Sequence, residues 1–228
     1  PSLSCFDWQL GGIADRDFDY CARNDLPLTH ALNDQFFDRT KTANHQHDPD
    51  LILKVVKETD KGIVVRGLKN LATLSPLCDE AIVYPNRPRK EDEVDQSIAF
   101  AVPMNASGLH IICRDAYGEG RDKSRLPLST RFDDLDATLI FDDVTIPWDR
   151  VFIYKNPQLV SQLIGLINPP WSGYVTLIRL ASKLEAFAAV LELLCQYDGK
   201  AGFPPITTRL GEIVKDITVL NGCLRAME

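Results

Sequence analysis

His30 is a candidate for proton transfer, because an imidazole changes its charge near neutral pH and can bind the hydroxyl of a ligand. It lies within residues 28–32, Leu-Thr-His-Ala-Leu, directly after Pro27. Proline lacks the backbone N–H and fixes φ, so this segment is expected to be extended or loop-like rather than helical. A single histidine is also commonly a packing residue, and the residue pattern by itself leaves both roles open.

A second candidate is residues 67–80, Gly-Leu-Lys-Asn-Leu-Ala-Thr-Leu-Ser-Pro-Leu-Cys-Asp-Glu. Glycine permits close approach of the backbone, and the hydroxyls of Thr73 and Ser75 can donate and accept hydrogen bonds. The polar edge of a flat heterocyclic ring requires such groups. Hydroxyl residues are also ordinary turn formers, so a simple turn before Pro76 explains the same letters.

Asn86 and Arg87 follow an apolar segment that ends at Tyr84. A guanidinium can bind a carboxylate in bidentate geometry, so Arg87 is a candidate for binding the anionic end of a substrate. A solvated surface arginine is the alternative. The loop that continues to Gln96 is long and polar, which makes it a candidate lid.

Two other patterns suggest chemistry only weakly. His45 and His47 are separated by one residue, but a zinc site needs three or four ligands and no third is nearby, so we predict no metal site. Five aspartates also cluster in sequence: Asp133, Asp134, Asp136, Asp142 and Asp143. Acid–base work needs two carboxyls at a defined separation across a cleft, which adjacency does not supply, so turn and cap roles are expected.

The composition limits the classes of partner. The 228 residues carry a net charge of −7, which argues against a nucleic-acid or anionic-membrane binder and favours small molecules or proteins. The six cysteines are scattered without a C-x-x-C pair, as expected of free thiols in a reducing cytoplasm. No apolar run reaches the roughly 20 residues of a membrane helix. Because the chain begins at Pro1 and stops within a helical pattern, we expect it to be a fragment.

The elements that must position these residues are strands followed by helices. Apolar β-branched runs predict strands at 51–57, 63–67, 80–84, 97–104, 109–113 and 137–141, with a turn at Asp142–Asp143 and an extended exit through 151–153. A helical period then predicts helices at 159–167, 171–197 and 207–227, with a break at Pro169–Pro170. This order predicts an α+β fold in which an antiparallel β-barrel or sandwich precedes a helical bundle. The expected domains are residues 1–41, 42–155 and 156–228.

Several of these segments together resemble one known family. The stretch Phe141-Asp-Asp-Val-Thr-Ile-Pro-Trp-Asp-Arg-Val-Phe-Ile-Tyr154 is its clearest motif, and Thr29-His30 followed by Asp38-Arg39 is a second. Residues 67–80 resemble a third motif, and Arg179 with Lys183-Leu-Glu185 a fourth. In this order and spacing they resemble the oxygenase component of 4-hydroxyphenylacetate 3-monooxygenase, a family of two-component FADH2-dependent aromatic hydroxylases. The resemblance extends from about residue 20 to beyond residue 212.

The resemblance implies an acyl-CoA dehydrogenase-like fold and ortho-hydroxylation of a phenol with reduced FAD and O2. His30 would bind the phenol hydroxyl, and Asn86 and Arg87 would lie near the far end of the substrate. Flavin contacts would come from Arg39, Thr73 and Ser75, with Gln35 as a shifted candidate because the family's Pro-Gln pair is here Asp34-Gln35-Phe36. A separate flavin reductase, a homo-oligomer, usually a homotetramer, and a cytoplasmic location are further implications.

Two alternatives remain open at the level of the sequence. A 4-hydroxybutyryl-CoA dehydratase of the same superfamily would hold an iron–sulfur cluster through cysteines and a histidine. Residues 168–183, where a histidine and a cysteine ligand would be expected, contain neither. The other alternative is a non-catalytic fragment or binding module that retains the β-domain without a complete pocket.

Overall fold

The computed structural model describes residues 12–35, 38–48 and 50–227. They fall into two compact units, with the boundary between Ile164 and Gly165. No helix among the described residues combines the length and the apolar character that a membrane crossing requires.

The first described element is helix α1, Gly12–Arg23. The sequence pattern did not predict it, because no clean apolar period marks these residues. Of its described side chains only Asp17 and Cys21 are buried, and a helix with so narrow a buried face leaves little periodicity to detect.

Eight strands form two four-stranded sheets in the first unit. In chain order they are β1 (Leu28–Ala31), β2 (Lys54–Thr59), β3 (Gly62–Thr73), β4 (Glu80–Val83), β5 (Ala99–Pro103), β6 (Leu109–Cys113), β7 (Asp136–Pro147) and β8 (Val151–Ile153). Sheet 1 has the order β1-β4-β5-β8 and sheet 2 the order β2-β3-β7-β6. The six predicted strands all exist, and β6 has the predicted bounds.

Sheet 1 departs from the predicted antiparallel arrangement at its edge, where β1 and β4 run parallel with His30 opposite Ile82. The reason is topological: the chain leaves β1, builds the β2–β3 hairpin of the other sheet, and returns to β4 in the same direction. The remaining pairs of both sheets are antiparallel.

The predicted turn at Asp142–Asp143 is wrong, because β7 continues through both residues to Pro147. The β3–β7 register shifts between the pairs Val65–Val144 and Gly67–Phe141, and Asp143 has φ 53°. An extra residue in one strand forms a β-bulge. The bulge accommodates residues that usually form turns, so the strand continues through them. Gly67 is required on the facing strand, since a Cβ there would lie 2.5 Å from the Cα of Leu53.

Apolar side chains from both sheets form one core between them. Val83 and Phe100 contribute from sheet 1, Val65, Leu139 and Phe141 from sheet 2, and all five are at most 1% exposed. The rings of Phe100 and Phe141 meet edge to face with centroids 6.0 Å apart, a favourable aromatic geometry. The structure therefore confirms the α+β class, and of the two predicted alternatives the sheets form a sandwich rather than a closed barrel.

The outer face of sheet 1 is covered by helix α2, Pro157–Ile167. Its buried residues Val160 and Ile164 pack with Ala101 and Phe152 of the sheet. This matches the apolar stripe that the sequence predicted for residues 159–167.

The second unit consists of two long helices, α3 (Gly173–Tyr197) and α4 (Pro204–Met227), which pack against each other. The predicted break at Pro169–Pro170 is a turn of π-helix, Asn168–Ser172, that leads into α3. Proline lacks only its own N–H, so a wider turn can carry it where a regular α-helix would kink. Helix α4 begins at Pro204 rather than 207, because proline is tolerated in a first turn.

Candidate functional site

Two adjoining clefts lie where β1 and β4 end in the first unit. The amide cleft, of about 600 Å³, is named for the carboxamides of Asn33, Gln35, Asn70 and Asn86 in its lining. The basic cleft, of about 510 Å³, is lined by four cationic residues: Arg39, Lys41, Arg87 and Lys90. Asp34, Gln35, Arg39 and Asn86 line both clefts.

The carboxamides of the amide cleft are held by one another. The backbone of Asn70 pairs with that of Asn33 through an N–H···O=C bond of 2.8 Å. The Asn70 side chain donates to Gln35 Oε1 and accepts from the Thr138 hydroxyl at 2.9 Å, while Asn86 Nδ2 donates to Asn33 Oδ1 at 2.7 Å. These bonds fix the direction of each amide and leave other donors and acceptors available to a ligand.

The backbone beside the amide cleft is strained. Leu71 lies in the cleft wall with φ 56° and Leu74 has φ 61°, in the left-handed region that bulky residues seldom occupy. The β3–β7 register also shifts between Lys69 and Ala72, which places the bulge at the cleft edge. Strain of this kind persists only where surrounding structure enforces it, and it is concentrated at ligand sites.

A buried group of charges lies beneath both clefts. Asp34, whose side chain is fully buried, forms ion pairs of 2.6 Å with Lys69 Nζ and with Arg89 Nη2. Lys69 Nζ also donates to the carbonyls of Leu32 at 3.3 Å and Tyr84 at 3.2 Å. The ends of β1 and β4 and the middle of β3 are thereby tied to one point.

Burial and ion pairing oppose each other at these charges. Burial alone would raise the pKa of the Asp34 carboxyl, but Lys69 and Arg89 outweigh it and hold that pKa below its ordinary value. Burial lowers the pKa of Lys69 and of Arg89, with Asp34 opposing the change in both. Asp34 is therefore ionised at neutral pH.

Arg87 binds a carboxylate, but it is the chain's own. Its Nη2 lies 2.5 Å from Oε1 of Glu93 and its Nη1 3.2 Å from Oε2. Glu93 is fully buried and also accepts the backbone N–H groups of Ala43 at 2.7 Å and Lys90 at 2.9 Å. These bonds tie down the loop between Asn86 and Gln96 that the sequence suggested as a lid.

The structure brings only part of the predicted site together. Gln35, Arg39 and Asn86 line both clefts and Arg87 lines the basic cleft, whereas His30, Thr73 and Ser75 line neither. His30 is half-buried on β1, opposite Ile82 in register, and its neighbour Ala31 points into the core between the sheets. Since side chains alternate along a strand, His30 lies on the face of sheet 1 away from that core.

Thr73 and Ser75 lie at the end of β3 and just beyond it. The Thr73 hydroxyl donates to Asp136 Oδ1 at 2.6 Å, and the Thr73 carbonyl accepts from Thr29 Oγ1 at 2.6 Å. Ser75 is fully buried, and its hydroxyl has no hydrogen-bond partner among the described residues. A buried hydroxyl without a partner is uncommon, so Ser75 can still accept or donate one bond.

Sequence reasoning missed Asn33, Asn70 and the charges Asp34, Lys69 and Arg89. One signal was available: Ile63, Val65, Gly67 and Lys69 alternate on the buried face of β3, so Lys69 was a cation at a core position. Such a residue needs a buried counterion. Within the described ranges no three His, Cys, Asp or Glu side chains are grouped as a metal site would need.

The sequence matches a known protein family and several characterised proteins. The sequence profile of the family "4-hydroxyphenylacetate 3-hydroxylase N terminal" matches residues 14–153. The oxygenase component of 4-hydroxyphenylacetate 3-monooxygenase from Thermus thermophilus is 36% identical over 198 residues, which cover 86% of this chain and 40% of that protein. The Geobacillus sp. oxygenase component is 35% identical over 153 residues, 66% of this chain and 31% of that protein. The chain thus spans less than half of these relatives.

Solved structures of the same group of enzymes resemble this chain. The oxygenase component of 4-hydroxyphenylacetate 3-monooxygenase complexed with FAD and 4-hydroxyphenylacetate superposes with a TM-score of 0.87 at 30% identity, over 96% of this chain and 46% of that one. A 4-hydroxybutyryl-CoA dehydratase from N. maritimus (TM-score 0.78, 24% identity, 95% and 44% coverage) and an acyl-CoA dehydrogenase from Geobacillus kaustophilus (0.66, 14%, 99% and 57%) share the fold. These likenesses confirm the acyl-CoA dehydrogenase-like architecture. The chain belongs to the 4-hydroxyphenylacetate 3-hydroxylase family, with residues 14–153 corresponding to the family's N-terminal region.

Proposed function

We propose that this chain forms part of a flavin-dependent monooxygenase that hydroxylates a phenol ortho to its hydroxyl, using FADH2 and O2. Family membership supports this proposal, as do relatives named as oxygenase components of 4-hydroxyphenylacetate 3-monooxygenase. The observation that carries it is the amide cleft, where four mutually fixed carboxamides stand beside a strained strand end.

The cleft suits a flavin ring in size and chemistry. Its volume of about 600 Å³ is within the usual range for sites that bind small organic ligands. The edge of an isoalloxazine alternates donors and acceptors, and carboxamides offer both. When bound there, reduced flavin would supply the two electrons that activate O2.

Gln35 and Arg39, which line the cleft, are the proposed flavin contacts from this side. The hydroxyls of Thr73 and Ser75 are proposed as further contacts. The Thr73 hydroxyl already donates its hydrogen to Asp136, so it would act as a hydrogen-bond acceptor. The Ser75 hydroxyl has no partner among the described residues, so it could both donate and accept.

The substrate contacts are proposed on neighbouring elements. His30 would take the proton of the phenol hydroxyl on an imidazole nitrogen, which makes the ortho ring carbon more nucleophilic. Asn86 would orient the opposite end of the substrate. Arg87, which is paired with Glu93, would lie beside the polar tail of the substrate. Walls that exclude water would keep oxygen transfer ahead of peroxide release.

We also propose the surroundings of the enzyme. A separate reductase would supply FADH2, which accords with the words "oxygenase component" in the names of the relatives. A homo-oligomer in the cytoplasm is the proposed state, and the described cysteines Cys21, Cys78, Cys113, Cys195 and Cys223 are free thiols. Light scattering after size-exclusion chromatography would test the oligomer.

The test of the activity is anaerobic mixing of the protein with FADH2 and 4-hydroxyphenylacetate, followed by ¹⁸O2. We expect a catechol that contains one labelled oxygen. The rate of catechol formation should fall by roughly 10²-fold or more in His30→Ala. His47→Ala, at an exposed position, is the matched control and should keep full activity. Hydrogen peroxide as the sole oxygen product, from the complete reading frame as well as from this chain, would contradict the proposal and leave a flavin-binding module.

A further inference from the structure

Strand β3 turns one apolar side chain away from the core. Alternate residues along the first part of the strand are buried: Ile63, Val65, Gly67 and Lys69. Leu71 is next in this alternation, but it is 60% exposed, and Ala72 takes the buried position instead. The cause is the bulge at the cleft edge, where Asn70 and Leu71 of β3 together lie opposite Thr138 of β7. A bulge shifts the alternation by one residue, and here it directs Leu71 outward.

Leu71 is unfavourable at this position in two respects. Its φ of 56° lies in the left-handed region, where a Cβ crowds the following carbonyl oxygen, and its apolar side chain is exposed. Neither feature is a necessary part of a bulge. The bulge on β7 has Asp143 at φ 53°, a short polar residue of the kind that tolerates this conformation. A contact between Leu71 and a ligand would offset both disadvantages.

A second exposed apolar side chain lies in the same row of the sheet. Ile112 of β6 is 57% exposed and pairs with Thr138, so these two side chains are on one face of sheet 2. Leu71 and Ile112 therefore flank Thr138 from the strands on either side of it. Neighbouring strands lie about 4.8 Å apart, so the row spans roughly 10 Å. We call Leu71, Thr138 and Ile112 the platform.

The platform lies inside the amide cleft, since all three of its residues line that cleft. Gln35, which is bonded to Asn70, lies at the β3 side of the platform. Arg114 and Tyr117, which follow β6, line the cleft at the other side, and the Arg114 guanidinium is 3.9 Å from the centre of the Tyr117 ring. A cleft with an apolar base and fixed polar groups around it is typical of small-molecule binding.

The dimensions and chemistry of the site favour a flat ligand of several fused rings. A surface that is apolar at both ends and roughly 10 Å long matches the face of a three-ring system, whereas a single phenol ring would cover only one end. The carboxamides of Asn33 and Gln35 can then bind donors and acceptors at the ring edge. An isoalloxazine has this composition, with an apolar dimethylbenzene ring at one end and a polar pyrimidine ring at the other.

We propose that Leu71 and Ile112 are flavin-binding residues whose side chains contact the face of the isoalloxazine ring, and that the β3 bulge places Leu71 in that position. The inference rests on the proposed function, which puts the flavin ring in the amide cleft. It adds apolar contacts to the polar ones and gives the strained backbone at Leu71 a role in binding.

The experiment measures flavin binding without turnover. Reduced FAD and reduced riboflavin are titrated anaerobically into the wild-type chain and its variants by calorimetry. Both flavins carry the ring, but riboflavin lacks the phosphates and the adenine. Leu71→Asn replaces the side chain by a polar one of the same shape and should weaken the binding of both flavins about 10-fold, because partial burial of a leucine contributes about that factor.

A loss of affinity confined to FAD would place the ring away from the platform and overturn the inference. No binding of either flavin to the wild-type chain would overturn it as well. Leu71→Met keeps an apolar side chain of similar volume, so it should retain the affinity within about 2-fold. An equal loss in Leu71→Met and Leu71→Asn would show that apolar contact is not what matters and would also overturn the inference.

Thermal unfolding separates a binding role from a structural one. Leu71→Asn should have a melting temperature equal to that of the wild-type chain or up to about 3 °C higher, because asparagine adopts a positive φ more readily than leucine. A lower melting temperature would assign the Leu71 side chain to the fold and overturn the inference. Asp143→Asn is the matched control, at the other bulge of the β3–β7 pair and outside both clefts. It should leave the affinity for both flavins unchanged.

A second variant tests the other end of the platform. Ile112→Thr keeps the β-branched shape that suits a strand and removes apolar surface, so it should weaken the binding of both flavins about 3-fold. This variant also serves as the test should Leu71→Asn not fold. Unchanged affinity in either Leu71→Asn or Ile112→Thr would overturn the inference.

The outcomes distinguish this inference from the proposed function. Catechol formation by the complete protein, with unchanged flavin affinity in Leu71→Asn, would overturn the inference and leave the monooxygenase proposal standing. Weaker flavin binding in Leu71→Asn, in a protein that forms only hydrogen peroxide, would support the inference and contradict the monooxygenase.

Discussion

The two units of the chain differ in where their apolar side chains lie. In the first unit, apolar residues such as Val65 and Phe141 are almost completely buried between the sheets. In the second, Ala181 is the only buried apolar residue among those described, while Phe187 and Leu194 are each more than half exposed. The first unit therefore makes its own core, whereas two packed helices cannot bury apolar residues on every side of each.

Removal of one aromatic ring from each unit tests this difference in burial most directly. Phe141→Ala, in the sandwich core, should cost about 4 kcal/mol of unfolding free energy, because it removes buried surface and leaves a cavity. Phe187→Ala, at a position 55% exposed, should cost no more than about 0.5 kcal/mol. Urea unfolding of both variants measures the difference. Equal costs would mean that Phe187 is buried in solution and that the contrast does not hold.

The second prediction concerns charge rather than apolar surface. Asp34→Asn should lower the unfolding free energy by about 3 kcal/mol, because it leaves the buried cations Lys69 and Arg89 without their shared carboxylate. Asp143→Asn is the control, since the Asp143–Arg66 pair lies in solvent, where ion pairs contribute little. A harmless Asp34→Asn would show that the first unit tolerates unpaired buried charge.

The third prediction is a pH dependence confined to the first unit. Burial opposes the ionisation of Asp34 and Glu93, but their cationic partners prevail and both pKa values lie below the ordinary range. A carboxyl whose folded pKa is depressed contributes stability above its unfolded pKa of about 4, and that contribution is lost as the pH falls through the folded pKa. Urea midpoints measured at decreasing pH should therefore fall, with a shallower dependence in Asp34→Asn. A pH-independent midpoint would contradict the ion pairing.

The smallest effects are expected at two glycines, with opposite signs. Gly67→Ala should destabilise by about 1 to 3 kcal/mol, because φ is +131° there and a Cβ would meet the backbone of Leu53. Gly211→Ala, inside α4 with open space around it, should stabilise that helix by about 0.5 to 1 kcal/mol. Thermal melts followed by circular dichroism would show both. The same sign at the two positions would contradict the assigned backbone conformations.

The local residue pattern predicted the strands and helices better than it predicted which strands pair with each other. The alternation of residues 109–113 was sufficient because Leu109 and Ile111 pack against the core from one face of the strand. The helical spacing of 159–167 was sufficient because that helix buries one face. The two aspartates at Asp142–Asp143 led to the wrong prediction of a turn, since a β-bulge also accommodates residues that usually form turns. The parallel pairing of β1 with β4 depends on the path of the intervening chain and leaves no local signal.

The motifs predicted only part of the lining of the two clefts. Gln35, Arg39 and Asn86 line both clefts, whereas His30, Thr73 and Ser75, predicted from the same resemblance, line neither. The contact of Lys69 with Asp34 joins residues 35 positions apart, and that of Arg89 with Asp34 joins residues 55 apart. Only the folded topology brings such charges together.

The parallel edge strand β1 has a consequence for the order in which the unit assembles. The β2–β3 hairpin forms from neighbouring residues, whereas pairing β1 with β4 must close a loop of roughly 50 residues, which costs more chain entropy. Strand β1 is an edge strand, so hydrogen exchange of its amides should outpace that of the central strands β3 and β7. The strand that carries His30 would then pair late in folding, after the β2–β3 hairpin has formed.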